Sequence, residues 1–294
     1  MSAATFTLGL VQMRANDDDT DRLDEGIAGI REAARQGAQI VVLPELFRSP
    51  YFCQEMDPRH FTRAETIPGP STERLAAVAA AEGVVIVASL FEEVAAGLCF
   101  NTSVVIDADG ALLGTYRKSH IPDDPLYYEK FYFTPGDTGY RVFDTAFARV
   151  GVLICWDQWF PEAARLTAMA GAEVIVYPTA IGTIDAEGPL QHARQLDAWR
   201  TVQRGHAIAN GVIVAAVNRV GREHELNFWG SSFAAGPQGE LLAEASGKDA
   251  QTLIVTCDRQ TIRDTRQIWP YFRDRRVDTY ADLTRLYRDP RSKS

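Results

Sequence analysis

The 294-residue chain has only four cysteines and no apolar run of the length a bilayer demands. Its apolar runs, such as residues 84–91, fall far short of the roughly 18 residues of a membrane span. Basic excess is also missing. Thirty Lys and Arg stand against 39 Asp and Glu, a formal charge of −9 that repels polyphosphate and gains nothing from counterion release. Neither nucleic acid nor membrane is expected as a partner. Residues 1–10 lack the basic flank and apolar centre of a secretion signal, so a cytoplasmic protein is expected. Cys53, Cys99, Cys155 and Cys257 form no C-x-x-C pair, and no His stands at zinc-like spacing from them. Free thiols are the expectation in a reducing compartment. The phosphate-cradling glycine loop, the dinucleotide-binding glycine turn and the H-E-x-x-H zinc helix are all absent, so no cofactor and no metal are expected.

What is present is ordinary folded composition, 46% hydrophobic and 23% charged, with 22 Gly and 14 Pro. Short β-branched runs alternate with stretches of helical period, the pattern of an α/β protein. Strands are expected at 5–13, 40–43, 84–90, 100–106 and 112–116, with Asp109-Gly110 as a hairpin turn. Helices are expected at 18–36, where Leu23, Ile27, Ile30 and Ala34 share one face, and at 72–82. The second half starts over with a strand at 150–154, a helix at 160–170, a strand at 174–177 and a long helix at 190–210 that Gly211 ends. Gly37-Ala38-Gln39-Ile40-Val41-Val42-Leu43-Pro44 and Gly171-Ala172-Glu173-Val174-Ile175-Val176-Tyr177-Pro178 align as a weak internal repeat. They suggest two similar half-sheets in one domain spanning 1–294. Its core runs over about 5–258, and an Arg-rich tail, 259–294, docks on the domain or on a partner subunit.

Four side chains could carry chemistry, three of them at strand ends, where α/β folds usually collect it. Cys155 follows an apolar strand and precedes a helix, whose dipole would lower the thiol pKa and favour the thiolate. Glu45 follows Ile40-Val41-Val42-Leu43-Pro44, where burial would raise its pKa and make it a general base. Lys118, after a strand, could stabilise an oxyanion. Glu129 lies among aromatics and needs a cation or a proton. Each also has an inert reading: a buried thiol, a loop glutamate, a surface lysine, a rim carboxylate paired with Lys130.

Leu43-Pro44-Glu45, Tyr116-Arg117-Lys118 and Ile154-Cys155-Trp156-Asp157 occur in the order and setting of the nitrilase superfamily, which the chain resembles from about residue 5 to 280. That resemblance implies a carbon–nitrogen hydrolase with a four-layer αββα sandwich. It makes Glu45 the general base, Lys118 the oxyanion-stabilising residue, Cys155 the nucleophile and Glu129 the second glutamate, with the Trp156 N–H completing an oxyanion hole. It also implies a homodimer or larger homo-oligomer.

The longer stretches around Tyr51, Lys118, Glu129, Cys155 and Tyr177 resemble the superfamily's amidohydrolases of N-carbamoyl amines, implying a small-molecule carbamoyl amine substrate. Its distal ammonium needs a carboxylate or aromatic partner, and Asp123, Asp124, Asp185 and Glu187 are candidates, with Tyr51, Trp156 and Trp229 as walls. Where that group reads Ser-Glu-Pro after the glycine, this chain reads Thr183-Ile184-Asp185-Ala186-Glu187, so Ile184 holds the usual carboxylate position. Either Asp185 or Glu187 binds the amine, or the substrate is a related one. An N-carbamoyl amino acid or β-ureidopropionate would call on Arg194, Arg200 or Arg204, and an ω-amide remains open.

Overall fold

The β-branched runs become the central strands of two mixed sheets in the computed structural model, which describes residues 3–288. The first half runs β1 (Thr5–Gln12), α1 (Leu23–Arg35), β2 (Ile40–Val42), α2 (Pro70–Glu82), β3 (Val85–Ala95), β4 (Leu98–Ile106) and β5 (Leu112–Arg117). The second half begins with β6 (Val142–Asp144), β7 (Arg149–Val152), α3 (Pro161–Met169), β8 (Val174–Pro178), β9 (Gly182–Ile184), α4 (Pro189–Asn210) and β10 (Ile213–Val217). It ends with β11 (Val220–Glu223), β12 (Leu226–Trp229), β13 (Phe233–Ala235), β14 (Leu241–Glu244), β15 (Gln251–Asp258) and α5 (Arg259–Ile268).

The two six-stranded sheets share one plan. In the first, β1, β2 and β3 are parallel, β4 and β5 extend them antiparallel, and β15 pairs antiparallel with β1. In the second, β7, β8 and β10 are parallel, β13 and β14 extend them, and β6 pairs antiparallel with β7. The repeat seen in sequence therefore reflects equivalent strands, β2 and β8. Even the residues that open them act alike: Gln39 Oε1 accepts the Thr7 N–H at 3.0 Å, and Glu173 Oε2 accepts the Arg149 N–H at 2.9 Å.

Strand alternation sets the layers. Leu8, Leu10, Ile40, Val42, Val85 and Val87 join Val150, Val152, Val174 and Val176 in a core between the sheets. Val41, Leu43, Ile86 and Ala88 point the other way, onto Ile27, Ile30, Leu75 and Val78 of α1 and α2. Each large aliphatic so buried contributes about 1.5–3 kcal/mol. The result is the expected αββα sandwich.

Several boundaries differ from the sequence reading for local reasons. Helix α1 starts at Leu23 rather than Asp18, because the Asp21 carboxylate accepts the Leu23 N–H at 2.9 Å while the Arg22 guanidinium holds the Asn16 carbonyl at 2.7 Å. Strand β7 stops at Val152, two residues before the expected end, as the chain turns into the Cys155–Trp159 single turn. Gly211 ends α4 in the left-handed conformation, φ +54°, as expected. A three-stranded sheet, β11-β12-β9, has no counterpart in the sequence reading.

The start of the Arg-rich tail is helix α5, which docks on its own domain. Ile262 and Thr265 are buried, and Arg259 donates to Glu173 at 2.8 Å while standing over the Phe6 ring. Residues 289–294 of that tail lie outside the described residues. No helix among the described residues is long and apolar enough to cross a membrane.

Candidate active site

Loops at the sheet ends deliver Glu45, Lys118, Glu129 and Cys155 to one buried cluster, each less than a twentieth exposed. Lys118 Nζ donates to Glu45 Oε1 at 2.7 Å and to Glu129 Oε2 at 2.6 Å. Glu45 Oε1 also accepts from Asn101 Nδ2 at 2.7 Å, whereas its Oε2 is buried with no hydrogen-bond partner. A carboxylate oxygen left free in a dry site is poised to take a proton. Cys155 Sγ lies 3.8 Å from the Ala180 carbonyl oxygen.

One ammonium among two carboxylates sets the electrostatics. Burial pulls the Lys118 pKa down, but the charges of Glu129 and Glu45 outweigh it and hold the pKa well above its usual value. Burial raises Glu129 to about 7, with Lys118 opposing and the Glu45 charge adding. The expectation for Cys155 is corrected here. Its helix is a single five-residue turn with little dipole, and burial, reinforced by the Glu45 charge, pushes the thiol well above its normal pKa despite Lys118. The resting group is a neutral thiol that needs a base.

A pH dependence follows for Glu129. Its folded-state pKa exceeds the unfolded value of 4.5, so its stabilising contribution is full below pH 4.5 and is lost as pH rises through about 7. The Glu129→Gln variant should lose less stability than wild type between pH 5 and pH 7.5, read by urea denaturation at each pH. Equal slopes would refute the raised pKa.

The loop carrying Glu45 is held by residues that sequence reasoning missed. Asn101 Oδ1 accepts from Ser89 Oγ at 2.8 Å, and Ser89 Oγ accepts the Leu46 N–H at 3.1 Å, which fixes Leu46 at φ +48°. Buried Arg219, just before β11, donates to the carbonyls of Glu45, Leu46 and Ser49 at 2.7–2.9 Å. Its partner Glu223 accepts the Tyr51 N–H. Only the chemistry of buried polar groups identifies these residues, and their partners are far away in the chain.

A cavity of about 390 Å³ opens from Cys155 and Glu129. Trp156, Trp159, Trp229, Tyr127, Ile181 and Ile184 form its walls, with Asp124 and Glu187 among the lining residues. Asp124, Glu187, Trp156 and Trp229 are thus where the sequence reading needs them. Two others are not. Tyr51 is fully buried behind the cavity, its hydroxyl donating to Glu129 Oε1 at 2.6 Å, and Tyr127 supplies the wall instead. Asp185 does not line the cavity and pairs with Arg222 at 2.6 Å, while Glu187 is steadied by Gln195 Nε2 at 3.0 Å and the Ile184 N–H at 3.3 Å. Asp123 is exposed and does not line the cavity.

The carbon–nitrogen hydrolase family profile matches residues 7–267, and the chain belongs to that family. It is 47% identical to an N-carbamoylputrescine amidase of Arabidopsis thaliana over 93% of both chains. It is 40% identical to a citrullinase of Francisella tularensis, over 97% of this chain and all of that one. The crystal structure of a carbon–nitrogen hydrolase from Helicobacter pylori G27 superposes with a TM-score of 0.92 at 42% identity, covering 97% of this chain and 100% of that chain.

Proposed function

We propose that this protein hydrolyses N-carbamoylputrescine to putrescine, ammonia and carbon dioxide, a step in polyamine synthesis from agmatine. The observation that carries this reading is the cavity: an apolar, tryptophan-walled passage from the Cys155 thiol that has Asp124 and Glu187 among its lining residues and no cationic side chain among those described. Such a passage suits a polymethylene chain that ends in an ammonium ion.

In the proposed mechanism Glu45 Oε2 takes the thiol proton as Cys155 Sγ attacks the carbamoyl carbon. Lys118 Nζ and the N–H of Trp156 stabilise the oxyanion; that N–H opens a helical turn and has no intrahelical acceptor. Collapse breaks the bond to the terminal nitrogen, and Glu45 returns the proton so that ammonia departs. Glu45 then deprotonates water, which releases the carbamate, and the carbamate loses carbon dioxide to leave the amine. Glu129 holds Lys118 in place.

A carbamoyl substrate bearing a carboxylate, such as citrulline or β-ureidopropionate, needs a cation that the cavity lining lacks. Arg200 instead pairs with Glu244, and Arg204 donates to the Gly239 carbonyl. The deciding experiment measures ammonia release from equal concentrations of N-carbamoylputrescine, citrulline, β-ureidopropionate and an ω-amide, with Cys155→Ala as blank. The highest kcat/KM is expected for N-carbamoylputrescine, and preference for an anionic compound overturns the assignment. Glu187→Gln should raise KM about tenfold with kcat nearly unchanged, whereas Asp185→Asn should change neither. Identical kinetics for the two variants would remove Glu187 from the amine site.

A further inference from the structure

We propose that Asp157 is the positioning residue that sets the Cys155 nucleophile in register with Lys118. The mechanism leaves this carboxylate unused, yet it is fully buried and carries the maximum load two oxygens take from four donors. Oδ2 accepts the Ile154 N–H at 3.0 Å and the Tyr116 hydroxyl at 2.7 Å. Oδ1 accepts the His120 N–H at 3.0 Å and, from the same residue, Nδ1 at 2.7 Å. Facing a carboxylate, Nδ1 carries the ring proton.

The addresses of those donors are what matter. Ile154 immediately precedes the nucleophile, and Asp157 itself lies two residues after it. Tyr116 and His120 lie two residues before and two after Lys118. One side chain therefore ties the loop of one sheet to the strand end of the other, at the pair of groups whose separation must match a thiol-to-oxyanion distance. Cys155 also sits at φ +40°, a conformation unfavourable for a residue with a Cβ, which persists only where its surroundings over-determine it. The bond from the Ile154 N–H to the Asp157 side chain braces this turn from its N-terminal side, and the Asp157 N–H, donating to the Ile154 carbonyl at 3.0 Å, closes it. His120 is stacked on Phe160 with ring centroids 3.6 Å apart, which holds its ring against the carboxylate.

Asp157→Asn tests the assignment, because an amide presents one acceptor oxygen and turns two donors against the NH₂. The inference rests on Cys155 as nucleophile, so alkylation by iodoacetamide is measured beside ammonia release, with Cys155→Ala as blank for the other thiols. Alkylation needs the thiol but not the oxyanion site. Expected is a fall in kcat of about a hundredfold per alkylatable Cys155, with KM within about threefold and the alkylation rate within about fivefold of wild type. A kcat per alkylatable thiol equal to that of wild type overturns the proposal, as does an equal fall in alkylation and turnover, which would place the loss in the thiol itself. Cys155→Ala that still turns over would instead defeat the nucleophile assignment. If Asp157→Asn does not fold, Tyr116→Phe and His120→Gln each remove one donor and should each lower kcat by about three- to tenfold. Wild-type kcat in both overturns the proposal.

Discussion

The Cys155→Ala variant should release no ammonia above the enzyme-free background while remaining folded. Loss of a covalent nucleophile that acts as one unit with its base costs about 10⁶-fold in turnover. Cys155→Ser should be nearly as inactive, since a hydroxyl is a far weaker acid than a thiol and gives up its proton less readily. The side chain is small, so removing it should cost no more than about 1 kcal/mol of stability. Ammonia release and thermal melting on the same preparations check both statements, and turnover by Cys155→Ala would discard the thiol mechanism.

Removing Lys118 should damage catalysis and stability together. Its ammonium is the cation hydrogen-bonded to both Glu45 and Glu129, all three fully buried. Breaking a buried charge cluster by deleting one sign costs about 3–5 kcal/mol, and loss of an oxyanion donor costs about 10²–10³ in kcat. Lys118→Met, which keeps the volume, should show both losses at pH 8. Without the ammonium, Glu129 rises further above its present value of about 7, so the folded state takes up a proton as pH falls. The stability deficit should therefore shrink between pH 8 and pH 6. Urea denaturation at the two pH values measures it, and a deficit independent of pH would show that Glu129 is not relieved by protonation.

Much of this architecture was legible in the chain. The β-branched runs and the four-three-four spacing in α1 carry their own geometry, because burying one face needs only local periodicity. The Gly37 and Gly171 segments announced equivalent strands in two sheets. The side chains that cluster around Lys118 were legible where they stand just past apolar runs, as Glu45 and Cys155 do. What did not read out was long-range: Asn101 and Arg219 reach Glu45 from 56 and 174 residues away, and neither sits in a pattern that requires such a contact. The choice between Asp185 and Glu187 depended on which of them met Arg222 across the third sheet, whose strands of three or four residues are too short to show a period. The thiol was misjudged because helix dipole and desolvation act in opposite directions, and only burial, which local sequence does not report, decides between them.

The shared strand order of the two sheets also bears on how the protein comes into being. Glu45 and Lys118 follow strands of the first sheet and Cys155 a strand of the second, so neither half alone brings Glu45 and Cys155 together. The first sheet is completed by β15, at the far end of the chain, which pairs with β1 from Thr5↔Asp258 to Gln12↔Gln251. Such non-local pairing is slow to form and comes late. On the ribosome the β1 edge of the first sheet therefore stays unpaired until nearly the whole chain has been synthesised.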